Sequence, residues 1–141
     1  MDRNDLKRIL PHREPMLLVD KVEVDGDWVN AEYKVRGDEH FLQGHFPGMP
    51  IVPGVILCEI MAQSCCLLIA DLLEENLPLY AGIDKARFRH PALSGDTISI
   101  RATVTRRKGK VVFVEATAKV EEKVCCTGNF SFILVPKPEN N

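Results

Sequence analysis

The run from Val55 to Ala70 sets the terms for the whole chain. Val55, Ile56, Leu57, Ile60, Met61, Leu67, Leu68 and Ile69, with Leu72 just beyond, put apolar side chains on nearly every face of a helix. Pro53 suits its first turn, and the pattern continues to about Asn76. A helix that is apolar all round has to be covered all round. The run is shorter than the roughly 20 residues of a bilayer span, and it carries Glu59 and Gln63. It reads as a buried core helix, with no membrane span expected.

The cover lies to either side in sequence. Leu17-Leu18-Val19 leads into an alternating stretch to Val24, Asp25-Gly26 is a hairpin turn, and Trp28 to Val35 alternates again. After the helix, residues 79–89, 97–107, 111–121 and 125–135 read as strands, separated by turn residues at 90–96, 107–110 and 122–123. Strands joined by short turns pair antiparallel. The expectation is an α+β chain in which a curved antiparallel sheet wraps around one long central helix, as a single domain over 1–141. Residues 4–10 predict a short amphipathic helix, capped by Asn4 or Asp5 and ended by Pro11. The tail 136–141 is expected to fray. One sheet covers one side of a helix, so a second copy of the chain is expected on the other, making a homodimer.

A length of 141 residues with 45% hydrophobic and 27% charged residues is that of one folded domain. Net charge is -2, which argues against a nucleic-acid binder because phosphate neutralisation needs a strong positive field. The five cysteines, at 58, 65, 66, 125 and 126, form two adjacent pairs and an odd total, with no CxxC spacing. They read as small buried side chains in a reducing compartment, so a cytoplasmic location is expected. Met1 to Asp5 is charged, and no apolar run of signal length follows.

Residues 37–54 break all periodicity with four glycines and three prolines, yet Phe41, Leu42, Phe46, Ile51 and Val52 give the stretch an apolar interior. His45 is held in this stiffened loop, where lost solvation favours a neutral imidazole base. Glu59 sits on the first turns of the most apolar helix, where burial favours a protonated carboxyl. One base and one acid pushed apart in this way is the pattern of a proton-transfer pair. Gln63 follows Glu59 by one helical turn and is expected to orient it. Gly54 lies at the helix N-terminus, where its N–H is free to bond a developing oxyanion. By themselves these residues leave a purely structural reading open as well. His40 and His45, with no carboxylate or cysteine nearby, make a poor zinc set, and no metal or cofactor is called for. His12 and His90 adjoin prolines and look structural.

Gly44-His45-Phe46-Pro47-Gly48, Pro53-Gly54-Val55 and Glu59 together resemble the motif of bacterial (3R)-hydroxyacyl-acyl-carrier-protein dehydratases of the hot-dog fold. The resemblance extends through Leu10-Pro11-His12-Arg13, Leu17-Leu18-Val19-Asp20, Ala81-Gly82-Ile83-Asp84, Arg87-Phe88-Arg89, Pro91 and Gly95-Asp96, nearly the whole chain. It implies a hydro-lyase of type II fatty acid biosynthesis that converts the 3-hydroxyacyl to the trans-2-enoyl thioester. His45 would take the proton next to the thioester carbonyl, Glu59 would protonate the departing hydroxyl, Gly54 would hold the thioester oxygen, and Gln63 would position Glu59. The resemblance also implies homodimers in which His45 and Glu59 face each other across the interface, and a trimer of such dimers. The chain departs from the family's usual residues at His40, Glu14 and Met16, where Pro, an aromatic and Phe are common.

The acyl chain is expected between helix and loop, against some of Phe41, Phe46, Ile51, Ile56 and Met61. The partner, acyl carrier protein with its 4'-phosphopantetheine-linked substrate, is acidic, so Lys85, Arg87 and Arg89 are expected to meet it. The Arg101, Arg106, Arg107, Lys108 and Lys110 group reads equally as a solvated face. Two alternatives remain at this point: a hot-dog acyl thioesterase and a non-catalytic acyl-binding module.

Overall fold

Strict alternation of buried and exposed residues makes the sheet. In β2 (Trp28–Lys34), Val29, Ala31 and Tyr33 point inward; Ile98, Ile100 and Ala102 do so in β4 (Thr97–Lys108). Val112, Val114, Ala116 and Ala118 of β5 (Val111–Val120) and Phe130, Phe132 and Leu134 of β6 (Lys123–Pro136) continue the same face. The computed structural model describes residues 1–43, 48 and 50–138. In it these strands join β1 (Lys21–Asp25) and β3 (Asn76–Phe88) in one six-stranded sheet of order β1-β2-β4-β5-β6-β3. All neighbours are antiparallel. The β1–β2 hairpin turns at Gly26, whose φ of +65° is the left-handed conformation that glycine adopts without strain.

The buried face of the sheet receives α2 (Gly54–Ser64), which contacts β2, β4, β5 and β6. Its Leu57, Cys58, Ile60 and Met61 are all buried. Ile60 and Met61 have no exposed surface left, and burying each such side chain contributes about 1.5–3 kcal/mol. The expected architecture is present, with one difference: the long central helix is broken. It stops at Ser64, passes through a 3-10 turn (Cys66–Ile69) and resumes as α3 (Ala70–Leu73), bent by 47°. The Ser64 hydroxyl donates to the Ile60 carbonyl at 2.7 Å, and the Cys65 thiol donates to the Ala62 carbonyl at 3.0 Å. Side-chain bonds to carbonyls one turn back compete with the helix ladder and bend it. Among the described residues no single helix is long and apolar enough to cross a membrane, although the bent pair together has the length.

Two further expectations shift. The first helix, α1 (Arg3–Leu6), starts earlier than predicted, because Asp2 rather than Asn4 or Asp5 caps it, in a reciprocal capping box with Asp5. Leu17, Leu18 and Val19 are buried but lie outside any strand. Their main chain is held by side chains instead. Leu18 donates its N–H to Gln63 Oε1 at 2.8 Å, and the Arg3 guanidinium donates to the carbonyls of Leu17 at 2.9 Å and Val19 at 3.5 Å. Asp20 closes this region, accepting from Arg3 at 2.9 Å, Arg36 at 2.7 Å and the Lys34 N–H at 2.8 Å.

Candidate active site

Glu59 sits on the second turn of α2, the only charged residue in that helix, with a side chain 18% exposed. It borders a cavity of about 210 Å³ whose walls include Leu10, Ala62, Cys66, Leu73 and Phe132. The neighbouring elements aim two polar groups at its carboxyl group. His12, from the N-terminal segment, places Nε2 at 3.6 Å from Oε1. Tyr80, on β3, places its hydroxyl at 3.4 Å from Oε2 and at the same distance from the Cys58 carbonyl. Burial, then the nearby Glu59 charge, pushes the Tyr80 phenol well above its usual range, so it stays protonated as a donor. His12 Nδ1 is buried with no partner among the described residues. Neither contact is legible in the sequence: His12 adjoins a proline and reads as structural, and Tyr80 falls within the strand pattern of residues 79–89.

Gly54 begins α2 behind Pro53, so its N–H is one of the orphan donors of a helix start. The position also needs glycine for space. A Cβ there would lie 2.8 Å from Cε1 of Phe88. His45 and Phe46 lie outside the described residues.

Gln63 does not serve Glu59. Its side chain is buried and its amide grips the segment before β1, accepting from the Leu18 N–H at 2.8 Å and donating to the Met16 carbonyl at 2.7 Å. Helical spacing put the two residues on one face, but a buried amide takes the unpaired main-chain groups within its reach.

Four of the five residues expected along the acyl chain are described. Phe41 and Met61 are core residues, Ile56 packs against that core, and Ile51 makes an isolated bridge to Leu93; none lines the cavity beside Glu59. Residues from α2, the 3-10 turn, α3, β3, β6 and the N-terminal segment do so. Lys85, Arg87 and Arg89 are all exposed near a β-bulge at Lys85, whose φ is +53°. In the other basic group, Arg101 bonds Asp25 and lies over Trp28, while Arg107 caps the Leu68 carbonyl at 2.6 Å and pairs with Asp71. Arg101 and Arg107 are therefore engaged within the fold.

All five cysteines are free and buried. Burial drives the Cys66 thiol up to about 12, and Cys65 higher still, so neither is a nucleophile near neutrality. A larger groove of about 620 Å³ crosses the outer face of the sheet between Lys21, Trp28, Arg101 and Lys119 and shares no lining residue with the cavity beside Glu59.

A curved antiparallel sheet around one helix, with a carboxyl group on that helix facing an apolar slot, defines an enzyme of the hot-dog class. Solved structures bear out the fold. The dehydratase heterocomplex ApeI:P from Xenorhabdus doucetiae superposes with a TM-score of 0.79 at 23% identity, over 94% of this chain and 91% of that one. A thioesterase from Haemophilus influenzae superposes with a TM-score of 0.63 at 20% identity, over 87% of this chain and 82% of that one. The fold therefore does not choose between dehydration and hydrolysis, but sequence does: the chain belongs to the FabA-like family, whose domain matches residues 10–129. It is 42% identical to the 3-hydroxyacyl-acyl-carrier-protein dehydratase FabZ of Clostridium perfringens, over 95% of this chain and 99% of the relative. It is 41% identical to the FabZ of Streptococcus uberis, over 95% and 98%.

Proposed function

We infer that this chain is a hydro-lyase of fatty acid biosynthesis that removes water from 3-hydroxyacyl groups carried on acyl carrier protein. The full-length identity to dehydratases carries this reading, and the site suits it. Glu59 is a lone carboxyl group on a buried helix, at the wall of a largely apolar cavity and within reach of His12 and Tyr80, a placement that suits proton transfer. In the proposed step His45 takes a proton from C2, the electrons form the C2–C3 double bond, and the C3–O bond breaks as Glu59 protonates the departing hydroxyl. Water and the enoyl thioester leave. The Gly54 N–H bonds the thioester oxygen as enolate character grows.

The site is completed by a second copy. β3 is a sheet edge of 13 residues that exposes Leu79, Ile83 and Phe88, with Val55 of α2 also exposed. An open, apolar edge strand is a template for pairing, and a homodimer through β3 covers it. The family resemblance extends this to a trimer of dimers. Lys85, Arg87 and Arg89, exposed and without ion pairs among the described residues, suit an acidic carrier protein. Free buried thiols suit the cytoplasm.

The test is a direct comparison of enoyl absorbance with free-thiol release on one 3-hydroxyacyl thioester. Enoyl product without thiol is expected, and His45→Ala or Glu59→Gln should lower turnover roughly 100-fold to 10,000-fold. Thiol release in place of enoyl product would make the chain a thioesterase.

A further inference from the structure

We propose that Tyr80 is a positioning residue for the dehydration: its hydroxyl holds the Glu59 carboxyl group in place and follows its charge. The inference rests on the reading of Glu59 as the proton donor. The Tyr80 hydroxyl lies at 3.4 Å from two acceptors, Glu59 Oε2 and the Cys58 carbonyl. It has one hydrogen to give. While Glu59 keeps its proton, the Cys58 carbonyl is a sufficient acceptor. When Glu59 gives that proton to the leaving hydroxyl, a full negative charge appears on the carboxylate, which is the stronger acceptor. The hydroxyl then turns to Oε2 with no movement of the ring. A bond that strengthens only as charge develops lowers the barrier rather than the ground state. Its length at rest fits this, because such bonds tighten as the reaction proceeds.

The ring is held for the task. It packs on Phe132 with centroids 5.2 Å apart, and β3 is paired to β6 at Tyr80↔Phe132. The other titratable groups around Glu59 among the described residues are His12 from the N-terminal segment, Cys58 on α2 and, along the cavity wall, Cys65 and Cys66. The two cavity thiols are buried and stay protonated. His12 Nε2, at 3.6 Å from Glu59 Oε1, is the other polar side chain against the carboxyl group, so every variant keeps His12.

Tyr80→Phe removes one oxygen and keeps the ring. In the intact chain it should lower kcat about 3-fold to 30-fold, with KM within 2-fold. In a Glu59→Gln background the same substitution should change kcat by less than 2-fold, because the charge it answers never forms. An unchanged kcat, a loss confined to KM, or an equal loss in the Glu59→Gln background would each overturn the proposal. If Glu59→Gln alone kept full activity, the assignment of Glu59 as proton donor would fail instead.

Discussion

Replacing Gln63 by Met separates two roles that one residue was expected to combine. The side chains are similar in length, so packing at this buried site is largely kept. What is lost is a pair of short hydrogen bonds to the Leu18 N–H and the Met16 carbonyl. Leu18 is buried, so its donor would carry the full penalty of an unpaired group, about 1–3 kcal/mol. Met16 is 41% exposed, so water can replace much of its loss, and about 1 kcal/mol is assigned there. The total is about 2–4 kcal/mol. With an unfolding entropy near 2.1 cal/mol/K per residue, 141 residues give about 0.3 kcal/mol/K. The expected fall in Tm is therefore roughly 7–13 °C, read by differential scanning calorimetry at fixed protein concentration. Hydrogen exchange should speed up at the Leu18 amide before it does in the sheet. A fall below about 2 °C with Leu18 still protected would refute the clamp. A large loss of kcat at unchanged Tm would restore Gln63 as a partner of Glu59.

Two other substitutions probe the frame around the site. Gly54→Ala would place a Cβ at 2.8, 3.0 and 3.1 Å from three atoms of the Phe88 ring, displacing it at a cost of about 1–3 kcal/mol; a variant with parental Tm and kcat would show that the ring yields freely. Partial burial pushes the Asp20 carboxyl up, but the Lys34 N–H, Arg36 and Arg3 outweigh this and hold it below the usual range. Its contribution is thus present above about pH 4 and lost as pH falls through the lowered value. Asp20→Asn should be less stable at pH 7 and lose less on going from pH 5 to pH 2, and parallel urea curves with the parent's acid sensitivity intact would contradict this.

The parts of the fold set by period alone could be read directly. Residues 111–120 and 123–136 alternate so regularly that strands and facing are evident, and Asp25-Gly26 marks the first hairpin. The helix break could not be read in that way. Ser64 and Cys65 are tolerated in a helix interior, and only their bonds to Ile60 and Ala62 show that the ladder yields there. Leu17-Leu18-Val19 imitates a strand because burial, not pairing, selects those residues. Glu59 stood out because a carboxyl group on so apolar a helix demands a reason. Its neighbours did not stand out, since His12 and Tyr80 reach it from distant segments and no spacing rule links them. Gln63 misled for the opposite reason: local spacing was satisfied while a longer-range partner took the side chain.

The turn at Ser64 has a consequence for how acyl length is set. Beyond the bend α3 packs against β3, and its Leu73 shares the cavity wall with Leu79 and Phe132. If the substrate of the proposed reaction enters this cavity, the depth open to its acyl chain would depend on a hydroxyl that lines no part of it. Varying Ser64, rather than the cavity walls, offers a way to retune which chain lengths fit, with the chemical step at Glu59 one turn upstream left as it is.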